Sequence, residues 1–350
     1  MGAIREYIES IDQYIVKNLE NLFDGINSII LYGASEKGKR FVKDYRDTGV
    51  VIKYFCDDSE EKWGTFVEGI EVIPPKELIN LTDLPIFITS KWSDDISLKL
   101  KQIGIKHIYH RFAIDYILHL DELEQAYSLM FDTISKNTFL GLIKYIFSQD
   151  PSIFEKITTT EEQYFLKDIF EFNSNECIVD GGAYIGDTTL HYYEISGGSF
   201  DKIYCFEPDG ENFKKLFENT KHLTNIELFN AGLYKQEGKV PFLDSHNSAA
   251  CIDSSSSEFI HVTSIDEALQ GNRITMIKLD IEGAEVDTLY GARNVINTQK
   301  PKLAICNYHL PSDLWEIPLL INEILPDYKL YMRHHNKKCW YETVVYANIE

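Results

Sequence analysis

Three things are scarce in this sequence of 350 residues, and each scarcity narrows what the protein does. Positive charge is the first. Lys and Arg together number 34 against 55 Asp and Glu, a net charge of -21. A protein that neutralises nucleic-acid phosphates needs a basic stripe. The basic clusters here are short, such as Lys337-Lys338 among aromatics, so no nucleic-acid partner is expected. The acidity itself speaks to solubility and not to fold. Cysteine is the second. The six cysteines are scattered with no C-x-x-C pair, and a zinc site needs tighter ligand spacing. Several sit inside apolar runs, as Cys205 does in Ile-Tyr-Cys-Phe, which reads as buried free thiols in a reducing cytosol. Long apolar runs are the third. No segment approaches the roughly 18 apolar residues of a membrane span. The opening Met-Gly-Ala-Ile-Arg-Glu lacks the apolar core of a signal peptide. A cytoplasmic chain without a membrane span is expected. No solenoid-type repeat is visible either.

What is present is ordinary globular composition and a strong alternation of strand and helix patterns. Domains usually run about 100–200 residues, so two are expected. Residues 1–24 carry apolar positions at Ile4, Ile8, Ile11, Ile15, Leu19 and Leu22, a helical period. Residues 25–112 read as a first domain, with strands at Ser28–Tyr32, Val50–Phe55, Pro85–Thr89 and Lys106–Tyr109 alternating with helices. Residues 113–172 turn helical and read as a connector. Residues 173–350 hold a second series, with strands at Cys177–Asp180, Lys202–Glu207, Ile226–Asn230, Thr275–Asp280 and Lys302–Cys306. Tyr328–Met332 and Glu342–Tyr346 then read as a terminal antiparallel hairpin. The Ser-rich segment Asp244–Ser257 lacks periodicity and reads as a mobile loop. The fold class is therefore α/β: two Rossmann-like domains joined by a helical connector.

Both domains place a glycine loop after their first strand: Gly33-Ala34-Ser35-Glu36-Lys37-Gly38 and Gly181-Gly182-Ala183-Tyr184-Ile185-Gly186. Glycine permits positive φ and close approach of a ligand to backbone, and a helix N-terminus offers free N–H groups. Tight strand–helix packing would select the same glycines. The neighbours separate the two loops. The second follows Asp180, is followed by Asp187, and Glu207 ends the next strand 21 residues beyond Gly186. An acid at that offset accepts ribose hydroxyls. Acids beside the loop repel a diphosphate but suit a ligand with an amino group and a sulfonium, which fits S-adenosylmethionine better than a dinucleotide. The first loop has Tyr32 before it and carries Ser35, with Asp57-Asp58 after its second strand. That arrangement tolerates phosphate, so Gly33, Ser35, Gly38 and Asp57 are candidate contacts for a nucleotide or nucleotide-sugar.

At these residues the sequence resembles a known family. Val179-Asp180-Gly181-Gly182-Ala183-Tyr184-Ile185-Gly186-Asp187-Thr188 is similar to the first motif of FkbM-type methyltransferases. Phe206-Glu207-Pro208-Asp209 matches the family's F-E-P-D step, and Ile277-Lys278-Leu279-Asp280-Ile281-Glu282-Gly283-Ala284-Glu285 its I-K-x-D-x-E-G-A-E signature. The resemblance covers about residue 160 to the end. It implies a class I methyltransferase sheet, S-adenosylmethionine as donor, and O-methylation, often of a sugar or polyketide hydroxyl. The donor contacts it implies are Asp180, Gly181, Gly182, Ala183, Tyr184, Gly186, Asp187, Thr188, Glu207, Pro208 and Asp280, with Asn230-Ala231-Gly232 on the adenine side, where the family often has two alanines. The acceptor expected is a small molecule or glycan, with a nucleotide-sugar among the options. The first domain is similar to small nucleotide-sugar-binding domains of sugar-modifying enzymes, through Gly33-Ala34-Ser35, Gly38, Asp57-Asp58 and Lys62-Trp63-Gly64.

Methyl transfer is an in-line displacement and depends mostly on positioning, while an alcohol acceptor also needs a base. Bases should stand at the carboxyl ends of the strands. His309 follows the fifth strand and is the first candidate, because neutral imidazole titrates near working pH; a structural histidine is the plain alternative. Asp280 and Glu282 follow the fourth strand, where helix capping is the alternative. No metal is expected, although Asp280 with a nearby acid or His309 could hold magnesium. One of His334 and His335 could line the acceptor pocket, since strand neighbours face opposite sides. Tyr164 and Phe165 are read equally as a lid over the donor or as core. The competing functions are a nicotinamide-dependent oxidoreductase, which the Asp180 carboxylate disfavours in the second domain, and a non-catalytic nucleotide sensor.

Overall fold

The computed structural model describes residues 2–15, 28–90, 92–243, 251–252 and 259–349. The N-terminal helix expected over 1–24 is present over Ala3–Ile11, and residues 16–24 of that expectation lie outside the described residues. So does most of the loop expected over Asp244–Ser257. The chain divides into two compact units. The first is Met1–Glu124 with Phe139–Lys156, and the second is Gln125–Thr138 with Ile157–Glu350. Among the described residues no helix is long and apolar enough to cross a membrane.

The first unit is built on strands β1 (Ser28–Tyr32), β2 (Val51–Cys56), β3 (Phe66–Val67), β4 (Ile70–Ile73), β5 (Ile86–Ile88) and β6 (Ile108–His110), in the order β3-β4-β2-β1-β5-β6. All neighbours pair in parallel except β3 with β4. A strand covered on both faces reads as a continuous apolar run. Ile29, Ile30 and Leu31 of β1 and Ile86, Phe87 and Ile88 of β5 accordingly have no exposed surface. The helix Glu36–Tyr45 buries Phe41, Val42 and Tyr45, one face at helical spacing.

The connector expected over 113–172 is divided between the units. Its second long helix, Thr133–Ser148, changes allegiance along its length. In the first unit Tyr145 donates to Asp94 at 2.8 Å, and Lys101 reaches the carbonyls of Ser148 and Gln149. In the second, Arg333 engages Asp132 and Ser135. Polar anchors, invisible in an apolar periodicity, thus stand at each end of the helix.

The second unit carries β7 (Cys177–Gly181), β8 (Lys202–Phe206), β9 (Ile226–Phe229), β14 (Met276–Leu279), β15 (Lys302–Cys306), β16 (Lys329–His334) and β17 (Thr343–Asn348) in one sheet of order β16-β17-β15-β14-β7-β8-β9. The five strands from β9 to β15 are parallel, and β17 pairs antiparallel to both β15 and β16. This is the parallel sheet with a terminal hairpin that the sequence pattern predicts. A second sheet, of β10 (Gly232–Leu233), β13 (Phe259–Thr263), β11 (Gly238–Leu243) and β12 (Cys251–Ile252), was not anticipated. Its strands are short, and Pro241 lies within β11, so no clean alternation marks them.

Candidate active site

The carboxyl edge of the second sheet faces a cavity of about 590 Å³. The loops after β7, β8 and β14 supply Gly182, Tyr184, Glu207, Pro208, Asp280 and Glu282, and the first turn of the helix Asp187–Ile195 adds Asp187 and Thr188. Tyr164, Phe165, Lys278 and Glu342 complete much of its wall, and Gly232, Leu233, Ile260 and Val262 give it an apolar side. Four cavity residues that are not glycine hold positive φ: Tyr164 at 67°, Tyr184 at 48°, Glu282 at 56° and Glu342 at 67°. Such backbone costs of order 1–3 kcal/mol each and tends to gather at functional sites.

The glycine loop is shaped by its floor. Gly182 sits at φ +71°, and a Cβ there would lie 1.9 Å from the Asp280 carbonyl oxygen, so only glycine fits. Asp180, which the sequence suggests as a donor contact, is only 2 % exposed and is not among the cavity residues. Its Oδ2 accepts from the Thr189 hydroxyl at 2.7 Å and its Oδ1 from the Lys278 ammonium at 2.9 Å. Lys278 also donates to the carbonyls of Gly181 and Gly182, at 3.1 and 3.0 Å. The pair lies in register on neighbouring strands β7 and β14. Burial would lower the lysine's pKa, but the Asp180 and Asp280 carboxylates outweigh it and raise it. Asp180 thus anchors the loop from behind through Lys278, which corrects its reading as a direct ligand of the donor.

Glu207 reaches the cavity with both oxygens oriented. Oε2 accepts from the Tyr184 N–H and Oε1 from the Asp209 N–H, each at 2.9 Å. Burial pushes its carboxyl up to about 7, against those two hydrogen bonds. Asn230 supports this strand end by donating to the carbonyls of Glu207 and Pro208. Of the remaining expected donor contacts, Gly232 lines the cavity, whereas Gly181, Ala183, Gly186, Asn230 and Ala231 stand outside its wall.

Beyond Asp280 lies a cluster of charge. Asp280 accepts from the Tyr164 hydroxyl at 2.9 Å and the Tyr308 hydroxyl at 3.1 Å. Burial would raise its pKa, but Lys278 and His309 prevail and lower it. His309 Nδ1 is 2.9 Å from Glu285 Oε1, and Nε2 is 3.4 Å from Asp280 Oδ1 and 3.8 Å from Glu282 Oε2. Burial opposes charging the imidazole, yet these three carboxylates push its pKa up to about 10. His309 is 7 % exposed and absent from the cavity wall. An imidazolium has no lone pair to take a proton. The structure therefore argues against His309 as the base: its three carboxylate neighbours, which lie near in space but not in local sequence pattern, hold it charged. Burial raises Glu282, which does line the cavity, to about 7.

His334 and His335 do not line the cavity either. His334 is buried between the Thr343 hydroxyl and the Asn336 carbonyl, and His335 meets the Tyr346 hydroxyl. Tyr164 and Phe165 belong to the core cluster, as the packing reading expects, and both also stand in the cavity wall. Sequence reasoning assigned no role to Lys278, Glu285, Tyr308 or Glu342. Lys278 alone left a signal: a lysine inside the buried run Met-Ile-Lys-Leu must have a partner.

In the first unit the strand β1 turns at Gly33, whose φ is +120°, and a Cβ on Gly38 would lie 2.2 Å from the Gly33 carbonyl oxygen. Gly33, Ser35, Gly38 and Asp57 do gather around this loop. The Asp57 carboxylate, however, accepts from the Ala34 N–H at 2.8 Å, from the Ser59 N–H at 2.9 Å and from Lys62 at 2.9 Å. A loop amide and a lysine that a phosphate would use are thus already held by an acid.

Residues 180–339 match the family model described as the methyltransferase FkbM domain, and residues 25–108 match the C2185-like N-terminal family. No curated protein matches by sequence. Among solved structures, an FkbM methyltransferase from Methylobacillus flagellatus KT is 20 % identical with a TM-score of 0.64, covering 99 % of both chains. Aeropyrum pernix fibrillarin with bound S-adenosyl-L-methionine is 13 % identical over 52 % of this chain and 70 % of its own, with a TM-score of 0.34. An Aquifex aeolicus S-adenosylmethionine-dependent methyltransferase is 16 % identical over 57 % and 97 %, with a TM-score of 0.32. Residues 180–339 thus match the methyltransferase FkbM domain, and by that domain the chain is an S-adenosylmethionine-dependent methyltransferase.

Proposed function

We propose that this enzyme methylates a hydroxyl of a sugar or glycan precursor. The observation that carries the reading is the charge of the cavity wall. Glu162, Asp187, Glu207, Asp280, Glu282 and Glu342 line it, against the cations of Lys278 and, when protonated, His191. Carboxylates accept hydroxyl hydrogens and favour a cationic sulfonium, but they repel phosphate. A neutral polyol fits this wall beside the donor; the diphosphate of a nicotinamide dinucleotide or a nucleotide-sugar does not. In this reading Glu207 accepts the ribose hydroxyls of the donor, and Gly182 and Tyr184 present backbone to its amino-acid end. Glu282 lines the cavity beside Asp280, and its carboxyl, raised by burial to about 7, titrates near working pH, so in this reading it takes the acceptor's proton.

The test is transfer of label from methyl-labelled S-adenosylmethionine to a panel of neutral sugars, oligosaccharides and nucleotide-sugars, repeated with Glu282→Gln. Turnover on a neutral glycan is expected. The variant should lose about 10²–10⁴-fold in kcat, the usual contribution of a positioned base, with unchanged donor affinity. Turnover confined to nucleotide-sugars would overturn the charge argument, and near-normal kcat in the variant would remove Glu282 from its role.

A further inference from the structure

We propose that Asp280, Glu285 and His309 form a binding site for one divalent first-row transition ion in the wall of the methyl-transfer cavity. One ligand atom from each of the three residues can be chosen so that all lie within 4.8 Å of one another. That is the span of donor atoms gathered around a single ion with bonds of about 2.0–2.2 Å. Two carboxylates and an imidazole are a donor set that suits manganese, iron, cobalt or zinc; magnesium prefers oxygen alone.

A second observation points the same way. His309 is buried, and neither of its ring nitrogens has a hydrogen-bond partner. Glu285 Oε1 is close to Nδ1, at 2.9 Å, but off the line of an N–H bond, so proximity there is not a hydrogen bond. Buried polar atoms are nearly always paired, and an orphaned one calls for an explanation. An ion that binds one of these nitrogens, with that nitrogen's proton released to solvent, supplies its partner; a ring nitrogen and an oxygen bound at a right angle to one ion stand about 3 Å apart at ordinary bond lengths.

The carboxylates are also held as ligands are held. Metal-bound groups are oriented by outer hydrogen bonds that fix them before the ion arrives. Glu285, fully buried, accepts from the Ile281 N–H at 2.9 Å and the Gly283 N–H at 3.0 Å. Asp280 accepts the hydroxyls of Tyr164 and Tyr308. These four donors leave lone pairs on both carboxylates for an ion. Asp280 belongs to both the cluster and the cavity wall, so an ion here lies where it can polarise an acceptor oxygen.

The experiment reads the ion without methyl transfer, so its failure is distinct from failure of the glycan reading. Tag-free full-length protein is stripped with chelator, dialysed, and titrated with Co²⁺ while visible absorption is followed. Wild type is expected to bind one equivalent and to develop the intensified bands of a low-symmetry, protein-bound ion. His309→Gln and Glu285→Gln are each expected to weaken binding at least tenfold, and Zn²⁺ or Mn²⁺ should displace the cobalt. Far-UV circular dichroism checks that each variant folds. Should either buried variant fail to fold, Asp280→Asn, at a partly exposed position, decides by the same readout. Only the spectrum of aqueous cobalt in wild type, or wild-type affinity in the folded variants, would overturn the proposal.

Discussion

If Glu207 accepts the donor's ribose hydroxyls, donor binding must be coupled to its proton. In the free protein burial holds its carboxyl at about 7, with Asp209 adding to the rise and Lys278 opposing it. The sign follows from the direction of the shift. A carboxyl whose folded pKa lies above its ordinary value favours the protonated native state, so its contribution to stability is greatest below the ordinary value near 4.5 and is lost as pH rises towards 7. Donor binding runs the other way, because only the ionised carboxylate can accept both hydroxyls. Apparent affinity should be near its limit at about pH 8, be halved at about pH 7, and fall roughly tenfold per unit below that. Titration calorimetry in buffers of different ionisation enthalpy should show close to one proton released on binding at about pH 6 and almost none at about pH 8.5. Glu207→Gln keeps shape and one acceptor oxygen but loses the charge. At about pH 8 it should bind the donor at least tenfold more weakly, since a hydrogen bond to a charged group is worth about 1.5–3 kcal/mol. At about pH 5.5 the gap to wild type should nearly close. Other cavity acids titrate in both proteins, so the difference between them isolates Glu207. A wild-type affinity flat across this range, or the same slope in Glu207→Gln, would refute the reasoning.

Two more outcomes follow from the loop and its anchor. Lys278→Met leaves Asp180 buried without its cation and should cost about 3–5 kcal/mol by urea denaturation, while adding Asp180→Asn should recover part of the loss; equal stability of Lys278→Met and wild type would show that the pair does not hold the loop. Gly182→Ala adds a methyl where the Asp280 carbonyl already stands, in a backbone region that costs an L residue about 1–2 kcal/mol even without a clash, and should abolish measurable donor binding by calorimetry.

How much of this was legible beforehand depends on the distance over which each determinant acts. Local pattern determined the elements: uninterrupted apolar runs marked the strands buried on both faces, and the ordered motifs from Asp180 to Glu285 identified the methyltransferase half. Spacing along the chain also brought Glu207 and the Asp280–Glu282 turn to the right edge of the sheet, because strand ends in a parallel sheet share one edge whatever lies between them. The same spacing misjudged Asp180. An acid before a glycine loop looks like a ligand's partner until Lys278, 98 residues later, is seen to lie beside it. His309 looked like a base for the same reason. Its own neighbours in sequence say nothing of Glu285, and imidazole chemistry at neutral pH depends on which charges surround it in space. Short strands around Pro241 and the split allegiance of the helix Thr133–Ser148 were likewise outside the reach of periodicity. Sequence alone marked the strands of the two parallel sheets, the methyltransferase domain and its donor. Tertiary structure decided which acids face the cavity and which are spent on lysine, tyrosine or histidine, because burial and charge pairing are sums over neighbours that the chain brings together only by folding.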